Sequence, residues 1–150
     1  MKVFYLDTSA LVKRYYEEPG SAYINHIFET SLYTITSIIA YPEVLSALSR
    51  KKRERNISKN DYDFALKNFK LDWTDFYIIG ELTNEIVERT TNLFRDYPLR
   101  GFDAIHLATA LVTKRELNTS VGFLCSDKVL LDAAKGEGLR AINPALKEKK

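Results

Sequence analysis

Val3-Phe4-Tyr5-Leu6-Asp7-Thr8-Ser9 sets the architecture. Four apolar residues in succession, without alternation, suit a strand buried on both faces, as in a parallel sheet covered by helices. The run ends in an acid, and Thr8 or Ser9 can then cap a helix through Tyr15 and Tyr16. Outward from this junction the same alternation recurs. Pro19-Gly20 breaks the first helix, and Ser21 is a candidate cap for a second through Phe28. Residues 33–36 read as a short β-branched strand. Ser37 opens a long helical pattern with Ile38, Tyr41, Val44, Leu45 and Leu48 on one stripe, and with Pro42 near its start, where a missing N–H is tolerated. Ser58 and Asp61 resemble a capping box for a helix towards Phe69. Residues 76–79 form another apolar run, and a helix from Thr83 stops before Pro98. Residues 102–112 are apolar on nearly every side and predict a buried helix. A strand over 121–125, a helix over 129–134 with Gly136 at its end, and a strand over 139–142 follow; 143–150 reads as a polar, frayed tail. The order predicts an α/β sandwich, a mostly parallel central sheet flanked by helices, in one domain over 1–150.

Composition limits the function classes. Of the 150 residues, 45% are hydrophobic and 28% charged, a globular balance. Lys plus Arg number 22 and Asp plus Glu 20, so a uniformly basic nucleic-acid coat is excluded and any basic patch is local. The single cysteine, Cys125, rules out an internal disulfide and a multi-cysteine zinc site. No apolar stretch approaches a membrane span, and the first residues are too short an apolar run for a signal peptide, so a cytoplasmic location without membrane partners is expected.

Four acids carry the chemical interest. Asp7 and Asp127 each follow a predicted strand and precede a predicted helix. In open parallel sheets ligands bind beyond the carboxyl ends of the strands, so both can face one crevice, but a helix cap is an equal reading for each. Asp103 lies in the first turn of the apolar helix, beside Ala104, Ile105 and Leu107, where an unpaired carboxylate is costly. The helix terminus, Arg100 or a cation can compensate it. Glu43 points away from the apolar stripe of its helix and by local logic is a solvated glutamate, unless that face overhangs a cleft. Taken together, four hard oxygen donors favour Mg²⁺ or Mn²⁺ over zinc or copper. His106, one turn after Asp103, reads mainly as a packed core histidine. The run Arg50-Lys51-Lys52-Arg53-Glu54-Arg55, with Lys13, Arg14, Lys114 and Arg115, offers candidate phosphate contacts, and Tyr41, Tyr97 and Phe102 candidate stacking surfaces.

At these residues the chain resembles the PIN-domain nucleases, and within them the toxin subunits of VapBC-type toxin–antitoxin pairs. The resemblance is carried by 3–12, by Pro42-Glu43-Val44-Leu45-Ser46-Ala47-Leu48, by Leu99-Arg100-Gly101-Phe102-Asp103-Ala104-Ile105-His106-Leu107-Ala108-Thr109-Ala110, and by Leu124-Cys125-Ser126-Asp127. It implies that Asp7, Glu43, Asp103 and Asp127 are the catalytic, metal-binding acids. It implies that Thr8, Ser9 and Ser126 support them; from the residues themselves, Arg100 is read as a supporting partner of Asp103, and Lys13, Arg14, Arg50, Lys51, Lys52 and Arg53 as the cations that would meet RNA. Asp132 competes with Asp127 for the outermost place. The resemblance further implies an Mg²⁺- or Mn²⁺-dependent endoribonuclease that hydrolyses RNA phosphodiester bonds with metal-activated water. It also implies a homodimer held in check by a small antitoxin protein. The alternatives are a housekeeping RNA-processing nuclease of the same family without antitoxin, and a non-catalytic RNA- or protein-binding module on the same fold. A phosphorylated receiver domain also sets an aspartate after a strand, but its chemistry needs adjacent acids there, and Leu6-Asp7-Thr8 offers one.

Overall fold

The computed structural model describes residues 2–147. Five strands, β1 (Val3–Leu6), β2 (Tyr33–Ser37), β3 (Ile78–Gly80), β4 (Val121–Leu124) and β5 (Arg140–Ile142), form one sheet in the order β3-β2-β1-β4-β5. Every neighbouring pair is parallel. Seven helices connect them: α1 (Thr8–Tyr15), α2 (Ser21–Thr30), α3 (Ala40–Arg53), α4 (Lys59–Asp75), α5 (Asn84–Asp96), α6 (Gly101–Leu117) and α7 (Lys128–Gly136).

The uninterrupted apolar run of β1 now has its reason. Side chains alternate across a strand, so Val3 and Tyr5 enter one core while Phe4 and Leu6 enter the other. The first core is closed by α5, α6 and α7 through residues such as Ile86, Leu107 and Leu130. The second is closed by α1 to α4 through Leu11, Ile24, Val44 and Phe69. Gly122 on β4 makes room for the Phe4 ring, because a Cβ there would stand 2.6 Å from it. From β1 the chain steps outward to β2 and β3, then crosses to β4 and β5 on the other side. That reversal opens a crevice at the carboxyl end of β1, where Asp7 sits, beside the end of β4, where Ser126 and Asp127 follow.

Several expected boundaries move. Asp7, rather than Thr8 or Ser9, caps α1, and Gly20, rather than Ser21, precedes α2, with the left-handed φ of 101° that glycine tolerates. Residue 37 belongs to β2, so α3 starts at Ala40 and Ile38 lies outside the helix, exposed. The Ser58 cap is as expected, but α4 continues past Phe69 to Asp75 and β3 begins two residues later than the apolar run suggested. The tail expected over 143–150 is structured at its start. Pro144–Lys147 forms a 3-10 turn with Pro144 buried and Ala145 against Gly20; 148–150 lie outside the described residues. Among the described residues no helix is long and apolar enough to cross a membrane.

Candidate active site

Each acid reaches the crevice by a different local device. Asp7 is the N-cap of α1, and its Oδ1 accepts the Ala10 backbone N–H at 3.0 Å and the Ser9 hydroxyl at 2.6 Å. Asp127 caps α7 in the same way, accepting from the Leu130 N–H at 2.9 Å. Both aspartates are therefore helix caps that also border the crevice, because a cap at the carboxyl edge of a parallel sheet lies beside it. Ser9 Oγ in turn accepts the Ser126 N–H at 3.0 Å and ties the end of β1 to the end of β4. Asp103 stands in the first turn of α6, whose N-cap Arg100 makes no side-chain cap bond. Glu43 stands in the first turn of α3, where its Oε1 accepts the Thr8 hydroxyl at 2.6 Å and His106 Nε2 at 2.8 Å.

These four carboxylates line one cleft of about 460 Å³ with Thr8, Ser9, Ser126, Arg100 and His106. Lys13, Arg50 and Lys51 line it as well, with Glu18 among them, and Arg50 and Lys51 both lie about two turns beyond Glu43 on α3. Lys13 Nζ donates to Pro19 O at 2.7 Å and pairs with Glu18 at 3.3 Å. Lys51 reaches Glu18 at 3.8 Å and covers the Tyr16 ring.

The electrostatics of the acidic wall are unbalanced. Burial pushes the Asp7 carboxyl up to about 6, against the pull of His106, Ser9 and Ala10, and Asp103 adds to the rise. Asp103 is raised by partial burial and by Asp127, with His106 and Arg100 opposing. Glu43 differs: burial would raise it, but the hydrogen bonds from His106 and Thr8 prevail and hold it below its ordinary value. Ser126 Oγ is buried without a hydrogen-bond partner among the described residues.

Crowded carboxylates, hard oxygen donors and an orphaned hydroxyl fit a hard divalent cation. Among the described residues no three His, Cys, Asp or Glu side chains converge closely enough to cage an ion by themselves. The set therefore suits an ion that keeps part of its water shell, as Mg²⁺ does, better than a fully dehydrated one.

Other expected residues go elsewhere. Arg14 turns away from the cleft, donates to Asp72 Oδ2 at 2.9 Å and stacks over Phe28, in a separate cavity with Tyr15 and Phe64. Lys52 covers the Tyr62 ring and Arg53 donates to Ser49, and neither lines the cleft. Lys114 donates to Gly138 O and Arg115 pairs with Glu85. Tyr41 packs on Phe69 and Trp73, and Tyr97 donates to Glu137. Asp132 pairs with Lys128 on the exposed face of α7, which leaves Asp127 as the acid at the cleft. The residue that sequence reasoning undervalued is His106. It is 1% exposed, as a core histidine would be, yet its ring edge lines the cleft and bonds Glu43. Its spacing of one turn from Asp103 was the one available signal.

Comparison with known proteins agrees with the geometry. Ribonuclease VapC49 of Mycobacterium tuberculosis (strain ATCC 25618 / H37Rv) is 34% identical over 114 residues, 74% of this chain and 76% of that protein. Ribonuclease VapC46 of the same strain is 31% identical over 146 residues, 97% of this chain and all of that protein. A toxin–antitoxin complex from Klebsiella pneumoniae contains a chain of similar fold, with a TM-score of 0.61 at 17% identity, covering 93% of this chain and 96% of that one. The PIN domain pattern itself matches residues 4–121, most of the chain, and the protein belongs to the PIN domain family.

Proposed function

We propose that the protein is a divalent-metal-dependent endoribonuclease, the toxin of a type II toxin–antitoxin pair. The observation that carries this reading is the cleft: four acids from widely separated segments meet in a cleft also lined by Lys13, Arg50 and Lys51, and burial and mutual repulsion raise two of them. Asp7, Asp103, Asp127 and Glu43 would hold Mg²⁺ or Mn²⁺. The cation, when bound, supplies a water nucleophile near neutral pH and offsets charge growing on the phosphate oxygens.

The chain's own residues do the rest. Ser9 fixes Asp7 by one oxygen and the Ser126 backbone by its own lone pair, so the two strand ends keep their separation as substrate enters. Arg50 and Lys51 meet the phosphate backbone next to the acids, an attraction that weakens as salt rises. Arg100, at the start of α6, adds positive charge at the mouth of the cleft. Water attacks phosphorus and the 3′ oxygen leaves, giving a 5′-phosphate and a 3′-hydroxyl without use of the RNA 2′-hydroxyl. The relatives named ribonucleases and the solved toxin–antitoxin complex support RNA as substrate and a small antitoxin as partner. A homodimer is part of the same reading.

Mn²⁺ calorimetry on the wild type, Asp7→Asn and Asp103→Asn, with melts in chelator, tests it. The wild type should bind Mn²⁺ and melt higher with it, and each variant should lose that response. Product ends are the second test. A 2′,3′-cyclic phosphate would sink the water mechanism.

A further inference from the structure

Two of the four acids are anchored by their own helix: Asp7 and Asp127, by cap bonds to the following turn. Glu43 has no such anchor. The N-cap of α3, Ile39, makes no side-chain cap bond, and a glutamate has one more rotatable bond than an aspartate to immobilise. What holds it comes from far along the chain. The Tyr5 hydroxyl and His106 Nδ1 are 2.7 Å apart, and His106 Nε2 is 2.8 Å from Glu43 Oε1. A carboxylate has no hydrogen to give, so Nε2 is the donor to Glu43, while Nδ1 is bonded to the Tyr5 hydroxyl.

Tyr5 and His106 are 0% and 1% exposed. Tyr5 is sandwiched by a parallel Phe123 ring at 5.4 Å and the edge of His106 at 5.8 Å. Neither can change rotamer without opening the core. Burying two polar side chains is unfavourable unless each is hydrogen-bonded, so a chain of bonds that ends on a cleft carboxylate is an expensive way merely to fill space. Both described bonds to Glu43 fall on Oε1, so Oε2 is the oxygen not engaged by these donors.

We propose that Tyr5 and His106 are positioning residues: a rigid strut from the middle of the sheet that clamps Glu43 by Oε1 and leaves Oε2 for the cation in the cleft. This rests on the metal-dependent reading above. The usual arrangement, in which a carboxylate orients a metal-binding histidine, is here inverted, with a histidine orienting a carboxylate.

The test is Mn²⁺ affinity by calorimetry on the whole protein, with melting temperature in chelator beside it. His106→Leu should weaken Mn²⁺ binding roughly 10- to 100-fold. His106→Gln, whose amide N–H can reach the place of Nε2–H, should recover most of that loss. In a Glu43→Ala background, His106→Leu should cost nothing further, since the strut has nothing left to hold. Tyr5→Phe removes one hydroxyl and keeps the stacked ring. It should give a smaller loss that also vanishes without Glu43, and it serves where His106→Leu does not fold. Wild-type affinity in His106→Leu, or an undiminished loss in the Glu43→Ala background, overturns the strut and leaves the nuclease reading standing. A wild type that takes up no Mn²⁺ removes the nuclease reading itself, and the strut with it.

Discussion

Two polar clusters border α1, and they are built on opposite plans. In one, Arg14 donates to Asp72 at 2.9 Å and to Asn25 at 3.1 Å, the Tyr15 hydroxyl donates to the same Asp72 oxygen at 2.7 Å, and Tyr77 bonds Tyr15. The one carboxylate has a guanidinium beside it, and the tyrosine hydroxyls, pushed up by burial, stay protonated as donors. In the other, Asp7, Asp103 and Asp127 face one another, and the nearest arginine opposes the rise at Asp103 without cancelling it. The first cluster completes itself within the fold. The second is left short of positive charge, and the deficit marks where something from outside belongs. Adjacent residues show the division: Lys13 faces the cleft and Arg14 the closed cluster.

The sharpest way to break this contrast is to remove charge from each side. Asp103→Asn should lower RNA cleavage roughly 100-fold or more, the scale of losing a group that acts on transition-state charge, while melting no lower in chelator. Residual cleavage near wild type would make the acid an ordinary helix-start residue. Asp72→Ala should do the reverse: a loss of about 2 kcal/mol in urea unfolding, tempered by the partial exposure of Arg14, with cleavage per folded molecule unchanged.

Asp7→Asn keeps a cap acceptor and removes a charge. A carboxyl held at about 6 against an ordinary 3.8 binds its proton more tightly in the folded state. Its contribution to stability is therefore fully present below about pH 4 and is lost as pH rises to 6. At pH 7 the metal-free variant should be more stable than wild type by about 1–2 kcal/mol, the remainder after a weaker cap bond. The wild type's decline between pH 4 and 6 should flatten in the variant; a steeper decline would reverse the sign of the argument. The smallest effect is expected at the surface. The Glu85 carboxyl is held at about 2 by Arg115 and Arg89, but all three are solvated, so Glu85→Gln should leave the melting temperature unchanged at physiological salt. A measurable drop would show that this pair does more than decorate α5 and α6.

What could be read from the sequence was local. The strands around Asp7 and Asp127 announce themselves because an apolar run, an acid and a helix start lie within ten residues. The cap at Ser58 is equally short-range and forms as expected, and the helix read from Thr83 begins there, with Thr83 as its cap. Glu43 and His106 are harder to read for the opposite reason. Glu43 looks solvated on its own helix, and only a contact across 63 residues turns it into a held carboxylate. His106 looks like core because it is core on all sides but one. Residue 37 was assigned to a helix because Ser is a good helix opener, but pairing of Ser37 with Gly80 keeps it in the sheet. The cations divided for a similar reason. Lys13 and Arg14 are neighbours in sequence, yet a helix points successive residues about 100° apart, and composition does not say which way the cleft lies.

The strand order has a consequence for the birth of the molecule. β1 is made first but pairs with β4, whose residues begin at Val121, and the fourth acid follows only at 127. A growing chain is threaded out at about 5–20 residues per second, and until β4 has emerged the central strand is an open edge with no Asp127 beside it. The acidic crevice thus cannot be complete on a polypeptide still short of that point. For a protein proposed to cut RNA, the ribosome's own message is read past residue 127 before the blade is whole.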